Sequence, residues 1–358
     1  MNWREKAAAG VAAGALLVVG CTAAAHLSAL QPGPVPSSGS AAVPPSLARE
    51  YRTPKIQLGI DVDAYTYPGE DMAKAAQSVV KYVRSLHANA ISVTFPFFMN
   101  GPHAATVTTR SSTPTPHMVE VFARVAEGHG LYVAFRPLLD EASIDHGFRG
   151  NLQLSHPAEW FASYRRFLLS YAKVAQRAKV QEFVVGTELS TLYKSPRWYP
   201  LDAAVRRVYD GRLAFDSNWY GVSSLQSAGG KGLAEGVDAY PAIPTHISEG
   251  WKLYDHRLPP GTVEMEVGIA AVRGASAAPF KHSWPGKPID GKVQAGWFSA
   301  ACHAAAEAHL GGIYFWSIGL GPTFPGPTAA DSLNWGGGSP GSKAIADCFK
   351  SLSGKASR

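Results

Sequence analysis

Two glutamates stand where acidic residues are unusual. Glu188 lies in "EFVVGTELS", three residues after Val185, and Glu266 follows Met265 in "TVEMEVGIA"; both come after strand-forming residues typical of a buried core. A carboxylate in such company is costly unless it is paired or has a task. One task that needs two carboxyls is cleavage of a glycosidic bond. Glu188 also has a plainer reading, with Thr187 as the N-cap of a helix and Glu188 in its first turn. The ends of the other apolar runs bear on that choice. In chain order they carry Asp61, Asp63 and Tyr65; Phe97, Phe98 and Asn100; Arg136 and Asp140; Glu188; Asn218, Trp219 and Tyr220; Asp238 and Tyr240; Glu266; and Trp316. Aromatic faces stack on the apolar faces of sugars, and carboxylates and amides bond their hydroxyls. The set therefore reads as a carbohydrate site, with Glu188 and Glu266 as its catalytic pair.

The other members of the ring carry two readings each. Asn218 is placed to hold a sugar 2-hydroxyl, a contact that strengthens in the transition state; otherwise it is a turn residue. Trp316 is either a sugar platform or a plug in a core. Asp61 and Asp63 alternate with Ile60 and Val62, so they share one strand face; there they bond inside the fold or contact Arg136, with direct catalysis as the alternative. Trp219, Arg136 and Asp63 are counted as candidate sugar contacts. Glu264, two residues before Glu266, is expected on the same face one layer deeper, where its charge requires a partner such as Arg136 or a proton. No cysteine cluster or close histidine pair has zinc-ligand spacing, and the chemistry needs no cofactor.

These residues need a scaffold that brings strand ends together. From residue 57 onward, short apolar runs alternate with amphipathic stretches. The runs are "IQLGIDVDAY", "ANAISVTFPFFM", "LYVAFRPLLD", "QEFVVGTELS", "RLAFDSNWY", "GVDAYPAI", "TVEMEVGIA" and "GIYFWSIGL". Between them lie helical patterns such as "DMAKAAQSVVKYVRSLH" and "AEWFASYRRFLLSYAKVAQRA". In the second, Trp160, Tyr164, Phe167, Leu168 and Tyr171 form one apolar face, which reads as helix packing. The fifth and sixth helices are poorly marked, and "VSSLQSAGGKGLAEG" reads mostly as loop. Eight strand–helix repeats predict a (β/α)8 TIM barrel, whose chemistry sits at the C-terminal strand ends. The competing doubly wound sheet lacks its G-x-G-x-x-G after the first strand. "GGGSPGSK" has the wrong order for a phosphate loop, and no G-x-S-x-G nucleophile elbow occurs.

The chain is long enough for one large domain, at 358 residues with 46% of them hydrophobic. Its formal charge is +6, but basic residues occur at most in pairs, which argues against nucleic acid as a partner. Residues 1–20 read as an export signal: Arg4 and Lys6 precede an apolar run too short for a comfortable membrane span. The run ends in "VVGC", which resembles a bacterial lipobox with Cys21 as the lipidated residue; an uncleaved anchor is the alternative. Residues 21–50, rich in Pro, Ser and Ala, read as a flexible tether, leaving 51–358 as the catalytic domain. In an oxidising compartment Cys302 and Cys348 either pair or remain two buried thiols.

Several stretches carry a family resemblance: "WFASYRRFLLSYAKVAQ", "FVVGTELS", "VRRVYDGRLAFDSNW", "GVDAY" and "EVG". Together they resemble the β-mannanase group of glycoside hydrolase family 113, within the large clan of retaining barrel glycosidases. The resemblance implies Glu188 as the acid/base after strand four and Glu266 as the nucleophile on strand seven. It implies that Asn218, Asp238, Tyr240 and Trp316 line the sugar site. Two departures stand out: Arg136 where a Lys-Pro pair is expected, and "GIDVDAY" in strand one. The expectation is an exported, lipid-anchored or secreted monomer that cleaves β-linked polysaccharide, with mannan the implied substrate. A catalytically silent glycan-binding lipoprotein, and a hydrolase or transglycosylase of envelope glycan, are the alternatives.

Overall fold

The computed structural model describes residues 53–221 and 233–355. The leader, the tether and Cys21 lie outside the described residues, as does the part of "VSSLQSAGGKGLAEG" up to residue 232. Nine strands are described: β1 (Gln57–Asp63), β2 (Ala90–Met99), β3 (Val107–Thr108), β4 (Tyr132–Leu139), β5 (Glu182–Thr187), β6 (Arg212–Asn218), β7 (Ala234–Asp238), β8 (Val263–Val267) and β9 (Gly312–Gly319). Eight of them are parallel, and the pairing of β1 with both β2 and β9 closes a barrel. These eight are the eight apolar runs. The ninth, β3, pairs antiparallel with the mouth end of β2, Phe98 opposite Thr108, inside a stretch with no strand pattern of its own.

Among the described residues seven α-helices surround the barrel: α1 (Met72–Ser85), α2 (Pro116–Gly128), α3 (Pro157–Ala178), α4 (Trp198–Arg206), α5 (Ile247–Asp255), α6 (Gly291–Glu307) and α7 (Pro340–Lys355). Local chemistry sets several starts. The Lys74 N–H donates to the Asp71 carboxylate at 3.1 Å to cap α1. Thr115 caps α2 by accepting from the Met118 N–H, with Pro116 in the first turn. The aromatic face of α3 packs on the barrel as expected: Tyr164 stacks on Phe97 at 5.0 Å and Tyr171 on Phe95 at 4.6 Å. Among the described residues no helix is long and apolar enough to cross a membrane. Cys302 on α6 and Cys348 on α7 form a disulfide, with Cα atoms 6.5 Å apart, so the pairing alternative holds.

Inside the barrel a small cluster that includes Tyr132, Val184, Val263, Met265 and Tyr314 fills the lower layers. Tyr314 lies across Gly59, where a Cβ would come within 2.1 Å of its ring. Its hydroxyl donates to Gln57 at 2.6 Å, and that of Tyr132 donates to Glu182 at 2.8 Å, so both buried hydroxyls of the floor are bonded.

One strand departs from simple alternation in a way that matters for the site. β8 pairs Glu264 with Val237 and with Ile313, residues that face outward to the helices, then shifts register so that Glu266 sits opposite Asp238 inside. The shift is a β-bulge at Met265, which also points inward. Glu264 and Glu266 therefore lie on opposite faces of β8, not on one face as strict alternation predicts. Glu264 meets Asp255 of α5, not Arg136, in a fully buried pair. Burial pushes the Glu264 carboxyl well above the carboxylate range and that of Asp255 to about 8, so the two share a proton rather than carry two charges.

Candidate active site

The barrel mouth gathers the strand-end residues around the two glutamates. Glu188 follows the last residue of β5 with φ at 53°, the left-handed region that residues with a side chain rarely occupy. Its N–H donates to the Asp216 carbonyl at 2.9 Å, and its carbonyl accepts from the Ser190 N–H at 2.8 Å. These bonds hold the turn that aims the side chain into the mouth. The Thr187 hydroxyl is engaged elsewhere, donating to the Pro137 carbonyl at 3.0 Å. Thr187 thus ends a strand and caps nothing, which removes the helix-start reading of Glu188.

Both oxygens of the Glu188 carboxyl are held. Oε1 accepts from the Asn218 amide at 2.7 Å, and Oε2 accepts from Nη1 of Arg149. Asn218 is fixed in turn, because its backbone N–H donates to the Tyr193 hydroxyl at 2.8 Å. Burial raises the Glu188 carboxyl to about 7; the nearby Glu266 charge adds to this and the Arg149 guanidinium opposes it.

Glu266 is held differently. Its Oε1 accepts from the Tyr240 hydroxyl at 2.5 Å, and its Oε2 lies 2.9 Å from Nη2 of Arg136. Arg136 is the hub of a buried charge cluster. Its Nε donates to Asp216 at 2.6 Å, and Nη2 reaches both Asp238 oxygens at 2.6 and 2.5 Å. The guanidinium also lies 5.7 Å from the Trp316 ring centre. One cation cannot offset three carboxylates in a dry interior. Burial accordingly drives Asp238 well above the carboxylate range and raises Asp216, and the two carboxyls hydrogen-bond each other. Beneath them Asp61 accepts from the Thr94 hydroxyl at 3.2 Å and is likewise raised by burial.

The structure thus brings Glu188, Glu266, Asn218, Tyr240, Trp316 and Asp63 to one mouth. Trp219 joins them on the rim, stacked on Phe280 at 5.4 Å and edge-on to Tyr240 at 5.9 Å. Arg136 and Asp238, expected among the sugar contacts, have no exposed surface and stand behind Glu266 instead. Arg149, Asp216, Tyr193 and Phe280 were not among the residues singled out from the sequence. Asp216 carried a usable signal, since it shares a strand face with Asn218 two residues on. Arg149 and Phe280 lie in long loops, where no period reveals direction. Among the described residues, no group of three or more His, Cys, Asp or Glu side chains is arranged to hold a metal ion.

A closed (β/α)8 barrel with two glutamates at the ends of its fourth and seventh barrel strands is the arrangement of a barrel glycosidase. The family model for Glycoside Hydrolase Family 113 matches residues 65–319, and the chain belongs to that family. It is a glycoside hydrolase. A search of curated protein sequences gives no match. Among solved structures, the fold is similar to a family 113 β-1,4-mannanase, with TM-score 0.71 and 18% identity over 83% of this chain and 99% of that one. It is also similar to the family 113 β-mannanase of Alicyclobacillus acidocaldarius in complex with ManMIm, with TM-score 0.68 and 21% identity over 83% and 98% of the two chains. A family 5 mannosidase from Rhizomucor miehei aligns with TM-score 0.54 and 11% identity, over 85% of this chain and 95% of that one.

Proposed function

We propose that the protein is a retaining glycoside hydrolase that cleaves β-linked mannan by double displacement. The observation that carries this reading is the meeting of the two carboxyls at one mouth, each held by one arginine and one neutral donor. Glu266 is gripped by Arg136 and the Tyr240 hydroxyl, donors suited to a carboxylate. Glu188 is kept protonatable near neutrality by burial. Glu188, pushed up to about 7, suits the acid/base, and Glu266, bonded by the Tyr240 hydroxyl beside Arg136, suits the nucleophile. Glu266 attacks the anomeric carbon while Glu188 protonates the leaving oxygen; Glu188 then takes a proton from water, which releases the sugar from Glu266. Asn218, buried beside Glu188, orients the acid/base through its side-chain amide. Trp316 and the Trp219–Phe280 pair supply sugar platforms. The mannan assignment follows from family membership and from the mannanases of like fold.

The test is incubation of the full chain with a panel of β-mannans and envelope polysaccharides, with reducing ends detected and the anomer of the first product read by NMR. Reducing ends from mannan with retained configuration are the expected result. Inverted product would overturn double displacement, and binding without new reducing ends would mark a silent glycan binder. In a complex with a bound sugar analogue the two carboxyl groups should lie about 5 to 5.5 Å apart. The N-terminal residues support a second proposal, that the enzyme is exported and held by lipid on Cys21. A Cys21→Ser chain expressed in bacteria should then leave the membrane fraction; unchanged membrane association would point to an uncleaved anchor.

A further inference from the structure

Arg149 has no part in the mechanism above, yet it is the residue most deliberately placed against Glu188. It sits in the loop between β4 and α3, which is built from two short 3-10 turns, Asp145–Gly147 and Arg149–Asn151. His146 and Gly147 take left-handed backbone with φ at 57° and 64° to reverse the chain there. Gly150 is needed beside Arg149, because a Cβ would lie 2.2 Å from the Phe148 ring that covers it. The loop is tied to the turn that carries Glu188: the Thr191 hydroxyl donates to the Leu152 carbonyl at 2.5 Å. Arg149 is then braced by its own Nε, which donates to the Leu139 carbonyl at 2.8 Å. With Nε committed, Nη1 is aimed at Glu188 Oε2, and only 15% of the side chain is exposed.

The other groups facing Glu188 do not do what Arg149 does. From β6 come Asn218 and Asp216, from β8 Glu266, from β7 Asp238, and from the segments after β5, β6 and β7 come Tyr193, Tyr220 and Tyr240. None of these is a cation. Arg136 on β4 is one, but it is bound to Asp216, Asp238 and Glu266. An acid/base must visit both protonation states in each turnover, and a buried carboxyl with no cation beside it would resist the ionised one. On the reading of Glu188 given under Proposed function, we propose that Arg149 is a positioning residue for the acid/base, fixing Oε2 from the loop side and setting by its charge the pH at which Glu188 ionises. Arg149 is therefore not expected to contact the reacting atoms.

The experiment is a carbon-13 NMR titration of the full chain labelled at glutamate carboxyls, with the Glu188 signal assigned by its absence in Glu188→Gln. Removing an opposite charge in direct contact moves a carboxyl by about 1 to 3 pH units. Arg149→Gln should therefore titrate at least about one unit higher than the natural chain, whereas Arg149→Lys, which keeps the charge, should stay close to it. Arg149→Met serves the same purpose if the glutamine variant does not fold. Equal midpoints in the natural chain and the charge-removing variant would overturn the proposal, and so would lowered thermal stability with an unmoved midpoint, the mark of a structural role alone. Kinetics with soluble β-1,4-mannan separate the two levels of inference. If Glu188→Gln keeps turning over mannan, the acid/base assignment itself fails. If Glu188→Gln is inactive while the Arg149→Gln midpoint is unmoved, only the role of Arg149 fails.

Discussion

Glu188 and Glu266 differ in what holds them, and the difference dictates how their loss is felt. Glu188→Ala should slow hydrolysis of polysaccharide by about 10² to 10⁴, the usual worth of a general acid, and spare aryl glycosides whose leaving groups need little protonation. Glu266→Ala should abolish both, and added azide should restore turnover with inverted product, since one displacement then replaces two. Rescue of Glu188→Ala to inverted product instead would exchange the two roles. Because the acid form of Glu188 is required and burial places it at about 7, kcat/KM should fall as pH rises through that value. A profile flat to pH 9 would remove Glu188 from the acid role. Arg136 makes a different kind of claim. Its removal leaves carboxylates buried without a counter-ion, a change that costs about 3–5 kcal/mol. Arg136→Met should therefore unfold at markedly lower urea concentration than the natural chain, and Arg136→Lys should lie between them. Equal unfolding midpoints would mean that the cluster has already discharged itself by taking up protons.

At the scale of the element, β8 and α5 carry the second buried carboxyl pair. Glu264 and Asp255 have no role at the mouth, so their proton is a matter of stability. The folded pair binds a proton that the unfolded carboxyls, titrating near 4, release. The folded state therefore holds more protons between that pH and about 8, and stability falls as pH rises across the window, by about 1.4 kcal/mol per pH unit at most for one proton. Asp255→Asn replaces the shared proton with an amide that can donate to Glu264. Its melting temperature should gain on the natural chain steadily from pH 5 to pH 8, and parallel curves would show that no proton is shared. This pair also marks where reading the sequence stops. The eight strand runs were legible because barrel strands are buried on both faces, rich in strand-forming apolar residues, and differ sharply from the helices between them. Glu188 and Glu266 were legible because a carboxyl at the end of such a run is conspicuous. The face of Glu264 was not, since alternation assumes an unbroken pleat and the bulge at Met265 adds one residue to it. Arg149 was illegible for another reason: its direction depends on 3-10 turns and a covered glycine, which leave no periodic trace.

For the molecule as a whole, the last helix is fastened by the Cys302–Cys348 bond, which spans 46 residues. In the chain-entropy view a loop of that length contributes about 4 kcal/mol by restricting the unfolded chain. A chain with both cysteines changed to alanine should unfold at a lower temperature under oxidising conditions and match the reduced natural chain. If reduction leaves the natural chain's unfolding unchanged, the packing of α6 on α7 holds without the bond. The floor of the barrel has a further consequence, one of orientation. β1 begins at Gln57, bonded to Tyr314 in the floor, and residues 53–55 reach it along the outer surface of that closed end. Glu188 and Glu266 open at the opposite end. The described chain thus begins on the floor side of the barrel, and the mouth looks away from that end. A polymeric substrate therefore meets the cleft at the end of the barrel opposite to the one where the described chain begins.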